Sequence, residues 1–288
     1  MTIKQALLWA DRKLKETEDS KKSAYFLLKN VILKDESLIL AYPEFLLTKR
    51  QELKFKQWIL KRKKNLPVCY IVGFIDFYGL RFKVNKDVLI PRPETEVLVE
   101  MILSSVITAQ AGIQKIKHLG SDLVISDIGT GSGAIGLSLA KNLPEAKIYL
   151  VDISSKALKV AKKNSKINNI QNVIFKKGNL LEPLSEKADI VVANLPYIPT
   201  EDLKGLPLDI TCHEPRLALD GGEDGMDVYR QFFNQVKNKL KTCGKIYLEI
   251  GENQGEKVKD LSLGVFPNAN VLLKKDWAGL DRYVIVDL

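Results

Sequence analysis

Cysteine and histidine are scarce in this chain of 288 residues, which has three cysteines and two histidines. Cys69, Cys212 and Cys243 are far apart, so they form neither a CxxC pair nor the even-numbered pattern of a disulfide framework. His118 and His213 have no metal-ligand spacing to these cysteines. The scarcity argues against a zinc centre or a disulfide scaffold, and we expect a cytoplasmic protein without a bound metal.

Long apolar runs are also missing. No run approaches the roughly 20 residues of a membrane-spanning helix, and the first residues become charged and amphipathic too early for a signal peptide. Hydrophobic residues make up 45% of the chain and charged residues 27%, which is typical of a soluble globular protein. The length allows one large or two ordinary domains with a substantial core and predicts no membrane partner.

The positive charge is uneven along the chain. Residues 1–80 hold 16 Lys and Arg against 9 Asp and Glu, which is +7 of the net +9 of the whole sequence. Such a basic module can attract an acidic macromolecule, either a nucleic acid or an acidic protein. The run Lys61-Arg62-Lys63-Lys64, taken alone, is interpreted as a solvated helix face.

The spacing of apolar residues divides the first part of the chain into two regions. Helical spacing over 1–68, including a helix over about 48–64, predicts a small N-terminal helical domain. Over 69–90 the period changes. There, Tyr70-Ile71-Val72-Gly73 and the segment 77–84 predict a β-hairpin that links two domains.

The region 91–288 predicts an α/β domain. It opens with two prolines and a helix whose start Glu94 or Thr95 can cap. Strand and helix patterns then alternate, with strands at 123–128, 147–151, 173–176, 189–193 and 244–250 and helices at 134–141, 155–166 and 226–241. Alternation of this kind predicts a mostly parallel sheet covered on both faces. The last two strands, 270–274 and 282–286, are joined by a short turn-rich segment and predict an antiparallel final hairpin.

A glycine-rich loop follows the first of these strands, Asp127-Ile128-Gly129-Thr130-Gly131-Ser132-Gly133. Its glycines let the backbone turn sharply and approach a ligand. The loop also satisfies GxGxxG through Gly136, so it fits a dinucleotide as well as S-adenosylmethionine. Asp152, at the end of the next strand, can accept both ribose hydroxyls of either cofactor or cap the following helix. We expect Asn179 and Leu180, after the third strand, to border the adenine.

A polar corner, Asn194-Leu195-Pro196-Tyr197, follows the fourth strand. An amide or exocyclic amine nitrogen is a poor nucleophile because its lone pair is delocalised, so methyl transfer needs two acceptors aimed at its N–H bonds. The Asn194 side-chain oxygen and the Leu195 carbonyl can be these acceptors; Pro196 keeps Leu195 extended, and Tyr197 offers a flat wall. The alternative is an ordinary turn. Together with the glycine loop, the corner predicts an S-adenosylmethionine-dependent enzyme that methylates a planar nitrogen by positioning.

Further segments make nearly the whole chain resemble the bacterial release factor glutamine methyltransferases of the PrmC/HemK type. Besides the glycine loop and the polar corner, they are Tyr70-Ile71-Val72-Gly73, Leu89-Ile90-Pro91-Arg92-Pro93-Glu94-Thr95-Glu96, Glu214-Pro215-Arg216-Leu217-Ala218-Leu219, Gly221-Gly222-Glu223-Asp224-Gly225 and Asp276-Trp277-Ala278-Gly279-Leu280-Asp281-Arg282. The resemblance implies a Rossmann-like class I methyltransferase domain, preceded by a small helical domain and a β-hairpin linker. The implied cofactor is S-adenosyl-L-methionine, and the product is S-adenosyl-L-homocysteine.

The activity implied by the resemblance is methylation of the side-chain amide nitrogen of the glutamine in the Gly-Gly-Gln motif of peptide-chain release factors, which modulates translation termination. The N-terminal helical domain would dock the release factor. The glutamine would be held by Asn194, Leu195, Pro196 and Tyr197, and the cofactor contacts are expected from Gly129, Thr130, Gly131, Ser132, Gly133, Asp152, Asn179, Leu180 and Asn194. The family's usual corner is Asn-Pro-Pro-Tyr. Leu195 keeps the carbonyl but loses one restriction on φ, worth roughly 0.4–1 kcal/mol.

Three other functions compete with this interpretation. An adenine-N6 methyltransferase acting on DNA or RNA would use the same corner, but no nucleic-acid-binding motif is recognisable, so no direct nucleic-acid partner is expected. A nicotinamide-dependent oxidoreductase rests on the glycine pattern alone. A non-catalytic protein that holds a release factor or the ribosome rests only on Leu195. Nothing in the sequence demands more than a monomer.

Overall fold

The computed structural model describes residues 1–17, 19–33, 36–110 and 122–288, and His118 lies outside these ranges. The chain divides into two compact units. The first consists of Met1–Phe74 with Pro207–His213, and the second of Ile75–Leu206 with Glu214–Leu288. The boundaries at residues 68 and 90 stay a prediction. Within the described ranges, no helix combines the length and the apolar character needed to cross a membrane.

Helices make up the first unit, and helices and strands alternate over most of the second unit. The helices are α1 (Ile3–Lys13), α2 (Ser20–Ile32), α3 (Glu36–Ala41), α4 (Lys49–Arg62), α5 (Val68–Val72), α6 (Pro93–Gln110), α7 (Ala134–Asn142), α8 (Ser155–Ile167), α9 (Leu208–His213), α10 (Asp227–Val236) and α11 (Gly255–Val265). The strands are β1 (Phe74–Phe77), β2 (Leu80–Lys83), β3 (Val124–Ile128), β4 (Lys147–Asp152), β5 (Val173–Lys177), β6 (Ala188–Asn194), β7 (Leu240–Glu249), β8 (Asn270–Lys275) and β9 (Asp281–Asp287).

The first unit is helical. Capping boxes start α1 and α4, where the hydroxyls of Thr2 and Thr48 accept from the backbone amide three residues on. The apolar stripes of α1, α2 and α4 meet in one buried core. Arg62 is also buried, and its Nη1 donates to Asp209 Oδ2 at 3.1 Å, which ties α9 to these helices. The interpretation of the basic run at 61–64 as a solvated face is therefore wrong for Arg62, while its three lysines are exposed.

The second unit is built on a seven-stranded sheet in the order β5-β4-β3-β6-β7-β9-β8. The strands from β5 to β7 pair in parallel, whereas β9 pairs antiparallel with both β7 and β8. Alternate residues of each strand enter two separate cores, one shared with α6, α7 and α8 and the other with α10 and α11. The predicted α/β class, parallel sheet and antiparallel final hairpin are confirmed.

Two sequence-based boundaries need correction. Tyr70-Ile71-Val72-Gly73 is not a hairpin strand; its first three residues belong to the short helix α5, which Gly73 ends with a φ of 87°. The hairpin itself is formed by β1 and β2. The helix expected over 226–241 stops at Val236, because Lys239 turns the chain and β7 begins at Leu240. Apolar residues continue at helical spacing across this turn, so the sequence pattern alone does not show where the helix ends.

Candidate active site

The glycine-rich loop connects the carboxyl end of β3 to α7. The amides of Gly129 and Thr130 each donate to the Val151 carbonyl at 2.9 Å, which holds the loop beside β4. Gly129, Gly131 and Gly133 have φ values of 72°, 55° and 85°. Residues with a Cβ rarely adopt this left-handed region. The course of the loop therefore depends on glycine at all three positions.

Asp152 ends β4 next to this loop and is 9% exposed. Its carboxylate accepts from the Gly131 amide at 2.8 Å and from the Ser154 amide at 2.8 Å. Burial raises the pKa of this carboxyl, and the two N–H donors oppose the shift. The hydroxyl of Ser154 caps α8 by accepting from the Ala157 amide. Helix capping therefore does not account for Asp152.

A cavity of about 320 Å³ opens between the glycine loop and the polar corner, a volume within the range of small-molecule sites. Its wall brings together eight predicted site residues: Gly129, Gly131, Asp152, Asn179, Leu180, Asn194, Leu195 and Pro196. Asn179 Nδ2 donates to Glu182 at 3.3 Å. Leu180 has a φ of 50°, a strained conformation for leucine of the kind found at functional sites.

Four predicted site residues lie outside the wall of this cavity: Thr130, Ser132, Gly133 and Tyr197. The Thr130 hydroxyl donates to Asp127 at 2.6 Å, and the Ser132 carbonyl accepts from Asn164 at 2.8 Å. Gly133 is the residue that precedes α7. These three residues shape the loop, while Gly129 and Gly131 present its backbone to the cavity.

Asp127 is a supporting residue to which the sequence analysis assigned no role. Its Oδ2 accepts from the Thr130 hydroxyl and from the Gly136 amide at 2.8 Å. Its Oδ1 has no hydrogen-bond partner within the part of the chain that the structure describes. Desolvation by burial raises the pKa of Asp127 to about 6. The carboxyl ties the middle of the loop to the first turn of α7.

The polar corner begins at the last residue of β6. There Asn194 pairs in parallel register with Glu249, the last residue of β7. Asn194 Nδ2 donates to Thr95 Oγ1 at 3.2 Å, and the Thr95 hydroxyl donates to Glu249 Oε2 at 2.7 Å. Because its nitrogen donates to Thr95, the amide of Asn194 can offer its oxygen as an acceptor.

Tyr197 is anchored by loops that are distant in sequence. Its carbonyl accepts from Gln254 Nε2 at 2.8 Å, and the same nitrogen donates to the Gly225 carbonyl at 3.2 Å. A Cβ on Gly225 would lie 2.3 Å from the Tyr197 carbonyl oxygen, so only glycine fits there. Burial raises the pKa of the Tyr197 phenol, which also hydrogen-bonds with Arg282.

Arg92 and Glu214 form an ion pair at 2.6 Å between Nη2 and Oε1. The Glu214 side chain is 1% exposed, and its second oxygen accepts from the Ile90 amide at 3.2 Å. The pair therefore joins the segment before α6 to the segment after Glu214, which contributes to the cavity wall. Arg216 instead pairs with Asp220 at 2.9 Å near the surface, where a salt bridge contributes little.

Thr95 and Glu249 are site residues that the sequence analysis did not identify in this role. The expectation that Thr95 caps its helix is wrong, because α6 begins at Pro93 and the hydroxyl bonds Glu249 instead. Burial raises the pKa of Glu249 to about 7, while the hydrogen bonds from Thr95 and Asn194 and the charge of Arg282 oppose the shift. The one available signal was a carboxylate at the end of an apolar strand, at the sheet edge where ligands bind.

Comparisons with known proteins agree over the whole chain. Residues 119–261 match the family described as a methyltransferase domain, and residues 5–73 match the family described as the PrmC N-terminal domain. A release factor glutamine methyltransferase from Bacillus cereus is 38% identical and is covered over 100% of both chains. One from Streptococcus pneumoniae is 40% identical, over 94% of this chain and 92% of its own. Among solved structures, a methyltransferase from Pyrococcus furiosus aligns with 81% of this chain and 96% of its own, at 17% identity and a TM-score of 0.49.

Proposed function

We propose that this cavity is the place where the glutamine amide of a release factor is methylated. The proposal starts from a plain fact: this chain belongs to the release factor glutamine methyltransferase family. The acceptor is the side-chain nitrogen of the glutamine in the Gly-Gly-Gln motif, and the methyl donor is S-adenosylmethionine. One observation carries the assignment to this cavity. The Asn194 amide is held from behind by Thr95 and shares the cavity wall with Gly129, Gly131 and Asp152.

The residues at the glycine-loop end of the cavity fit S-adenosylmethionine. The Gly129 and Gly131 backbone lies open to the wall, and a Cβ on Gly129 would come within 3.2 Å of Leu195 Cδ2. Asp152 supplies a carboxylate whose oxygens keep lone pairs for hydroxyl groups, and Leu180 supplies an apolar surface. When bound, the cofactor supplies an electrophilic methyl group on a sulfonium.

The acceptor end of the cavity holds a planar amide. The Asn194 oxygen accepts one N–H of the glutamine amide, and the Leu195 carbonyl accepts the other. The two acceptors shift the nitrogen from planar toward tetrahedral geometry and direct its lone pair at the methyl group. The residues therefore contribute positioning and preorganised dipoles. The family's usual proline at this position restrains the backbone through its fixed φ. Leu195 is 2% exposed, so here packing holds the backbone instead.

The role of residues 1–68 as the domain that docks the release factor is part of the same proposal. Their excess of basic residues suits an acidic partner surface. Methylation of adenine in nucleic acid is not favoured, since the relatives that match over the full length carry the glutamine methyltransferase name.

Transfer of labelled methyl from S-adenosylmethionine tests the proposal. The substrates are a purified release factor and its Gly-Gly-Ala variant, with plasmid DNA and bulk RNA in parallel. We expect label on the unmodified factor and none on the variant or on nucleic acid. Label on nucleic acid alone would indicate an adenine-N6 methyltransferase instead. Bound cofactor without any methyl transfer would indicate a non-catalytic protein that binds a release factor or the ribosome.

A further inference from the structure

A buried hydrogen-bonded chain runs from Asn194 away from the cavity. Asn194 Nδ2 donates to Thr95 Oγ1, and Thr95 donates to Glu249 Oε2. Thr95 is 4% exposed and Glu249 2% exposed, and neither belongs to the cavity wall. The Asn194 side chain also hydrogen-bonds Glu249 directly, so both residues are connected to the cavity wall through Asn194.

The direction of the hydrogen bonds in this chain decides which end of the Asn194 amide faces the cavity. An ionised Glu249 can only accept, so the single proton of the Thr95 hydroxyl must point toward it. With its proton used, the Thr95 oxygen can only accept a further hydrogen bond. The nitrogen of Asn194 is the donor of that bond. The oxygen of Asn194 is left for the cavity, where an acceptor is required.

We infer that Thr95 and Glu249 are positioning residues that fix the Asn194 amide with its oxygen toward the methyl acceptor, an inference that rests on the proposed function. The side chains come from α6, β6 and β7, so the arrangement exists only in the folded domain. An amide is nearly symmetric in shape, and packing alone selects weakly between its oxygen and its nitrogen. The hydrogen bonds of Asn194 with Thr95 and with Glu249 make that selection.

Protonation of Glu249 reverses the chain. Its O–H then donates to Thr95, and the Thr95 proton becomes available to the Asn194 oxygen, which turns the amide nitrogen toward the cavity. A nitrogen in that place cannot accept the N–H of a glutamine. The charged and titratable groups facing Glu249 are Arg282, which lowers its pKa, Glu94, which raises it, and the phenols of Tyr197, Tyr229 and Tyr283, whose own pKa values are raised by burial. The balance leaves the pKa of Glu249 at about 7.

The first test replaces the hydroxyl of Thr95 while keeping the shape. We expect Thr95→Val to lower kcat about tenfold, with little change in KM or in cofactor affinity, and Thr95→Ser to recover most of the loss. Ser105→Ala is the matched control. Ser105 lies on the same helix and accepts the Tyr247 hydroxyl at 2.9 Å, outside the cavity wall. Thermal unfolding shows whether each variant is folded.

The second test is the pH profile of kcat at saturating substrates. The wild-type value should rise through an inflection near the pKa of Glu249, and Glu249→Gln should remove that inflection. An unchanged inflection in Glu249→Gln, or equal losses in Thr95→Val and Ser105→Ala, would overturn the inference. These failures differ from failure of the proposed function, in which the wild-type protein itself transfers no methyl group to a release factor.

Discussion

The two ends of the cavity are assembled in different ways. The cofactor end consists mainly of one contiguous stretch, 127–136, with the end of the adjacent strand at Asp152 and with Asn179 and Leu180 after the next strand. The acceptor end combines segments around residues 92–95, 194–197, 214–225 and 249–254 with Arg282. The cofactor end therefore depends mostly on one local segment and on two neighbouring strand ends, while the acceptor end joins segments that are far apart in the sequence.

The chemistry of each end explains this difference. Binding a cofactor through the backbone needs a sharp turn, and three glycines make that turn almost by themselves. Directing one asparagine oxygen at a substrate needs hydrogen-bond partners in a fixed donor and acceptor arrangement. A single segment does not supply these partners. Variants at the two ends should therefore separate binding from transfer.

The largest effect is expected from Asn194→Ala. The change removes one of two acceptors for the glutamine amide, and loss of a comparable preorganised dipole costs roughly 10²–10³-fold in kcat. The cofactor dissociation constant should change little, which calorimetry with S-adenosylmethionine measures beside a methyl-transfer assay. Full activity in this variant would mean that the acceptor site lies elsewhere.

A smaller effect of the opposite kind is expected from Asp152→Ala. Loss of the hydrogen bonds that the carboxylate accepts from cofactor hydroxyls should weaken cofactor binding about 10- to 100-fold, while transfer at saturating cofactor is largely kept. The variant also frees the Gly131 and Ser154 amides, so its folding must be checked by circular dichroism. Unchanged cofactor affinity would separate Asp152 from the cofactor.

The smallest functional effect is expected from Gly225→Ala, which acts on the acceptor end from a distance. Gly225 has a φ of 76°, and a Cβ there would press on the Tyr197 carbonyl. We expect a loss of about 1–3 kcal/mol in the free energy of unfolding and a lower kcat with cofactor affinity retained. Gly79→Ala, in the turn between β1 and β2, is the matched control, because its φ is 72° and an added Cβ would have nothing within 4 Å. A weaker cofactor affinity in Gly225→Ala would show that the two ends are not independent.

Most of the second unit follows from local sequence patterns. Each strand predicted in the large sheet is present, with ends shifted by a few residues, because buried strands carry continuous apolar runs. The sequence patterns did not predict α11. The helix predicted over 226–241 ends earlier, at Val236, because amphipathic spacing does not mark where a chain turns. Tyr70–Val72 lies in a short helix where a strand was predicted, because a short apolar run fits a strand as well as a helical turn.

The sequence by itself determined the α/β architecture, the glycine loop and the identity of the polar corner, because each depends on neighbouring residues with a definite period or conformation. Tertiary structure alone decided that Thr95 bonds Glu249 instead of capping a helix and that Arg62 is buried against Asp209. It also decided that Gly225 touches Tyr197. Hydrogen-bond direction and desolvation depend on groups that are far apart in the chain and meet only when it folds.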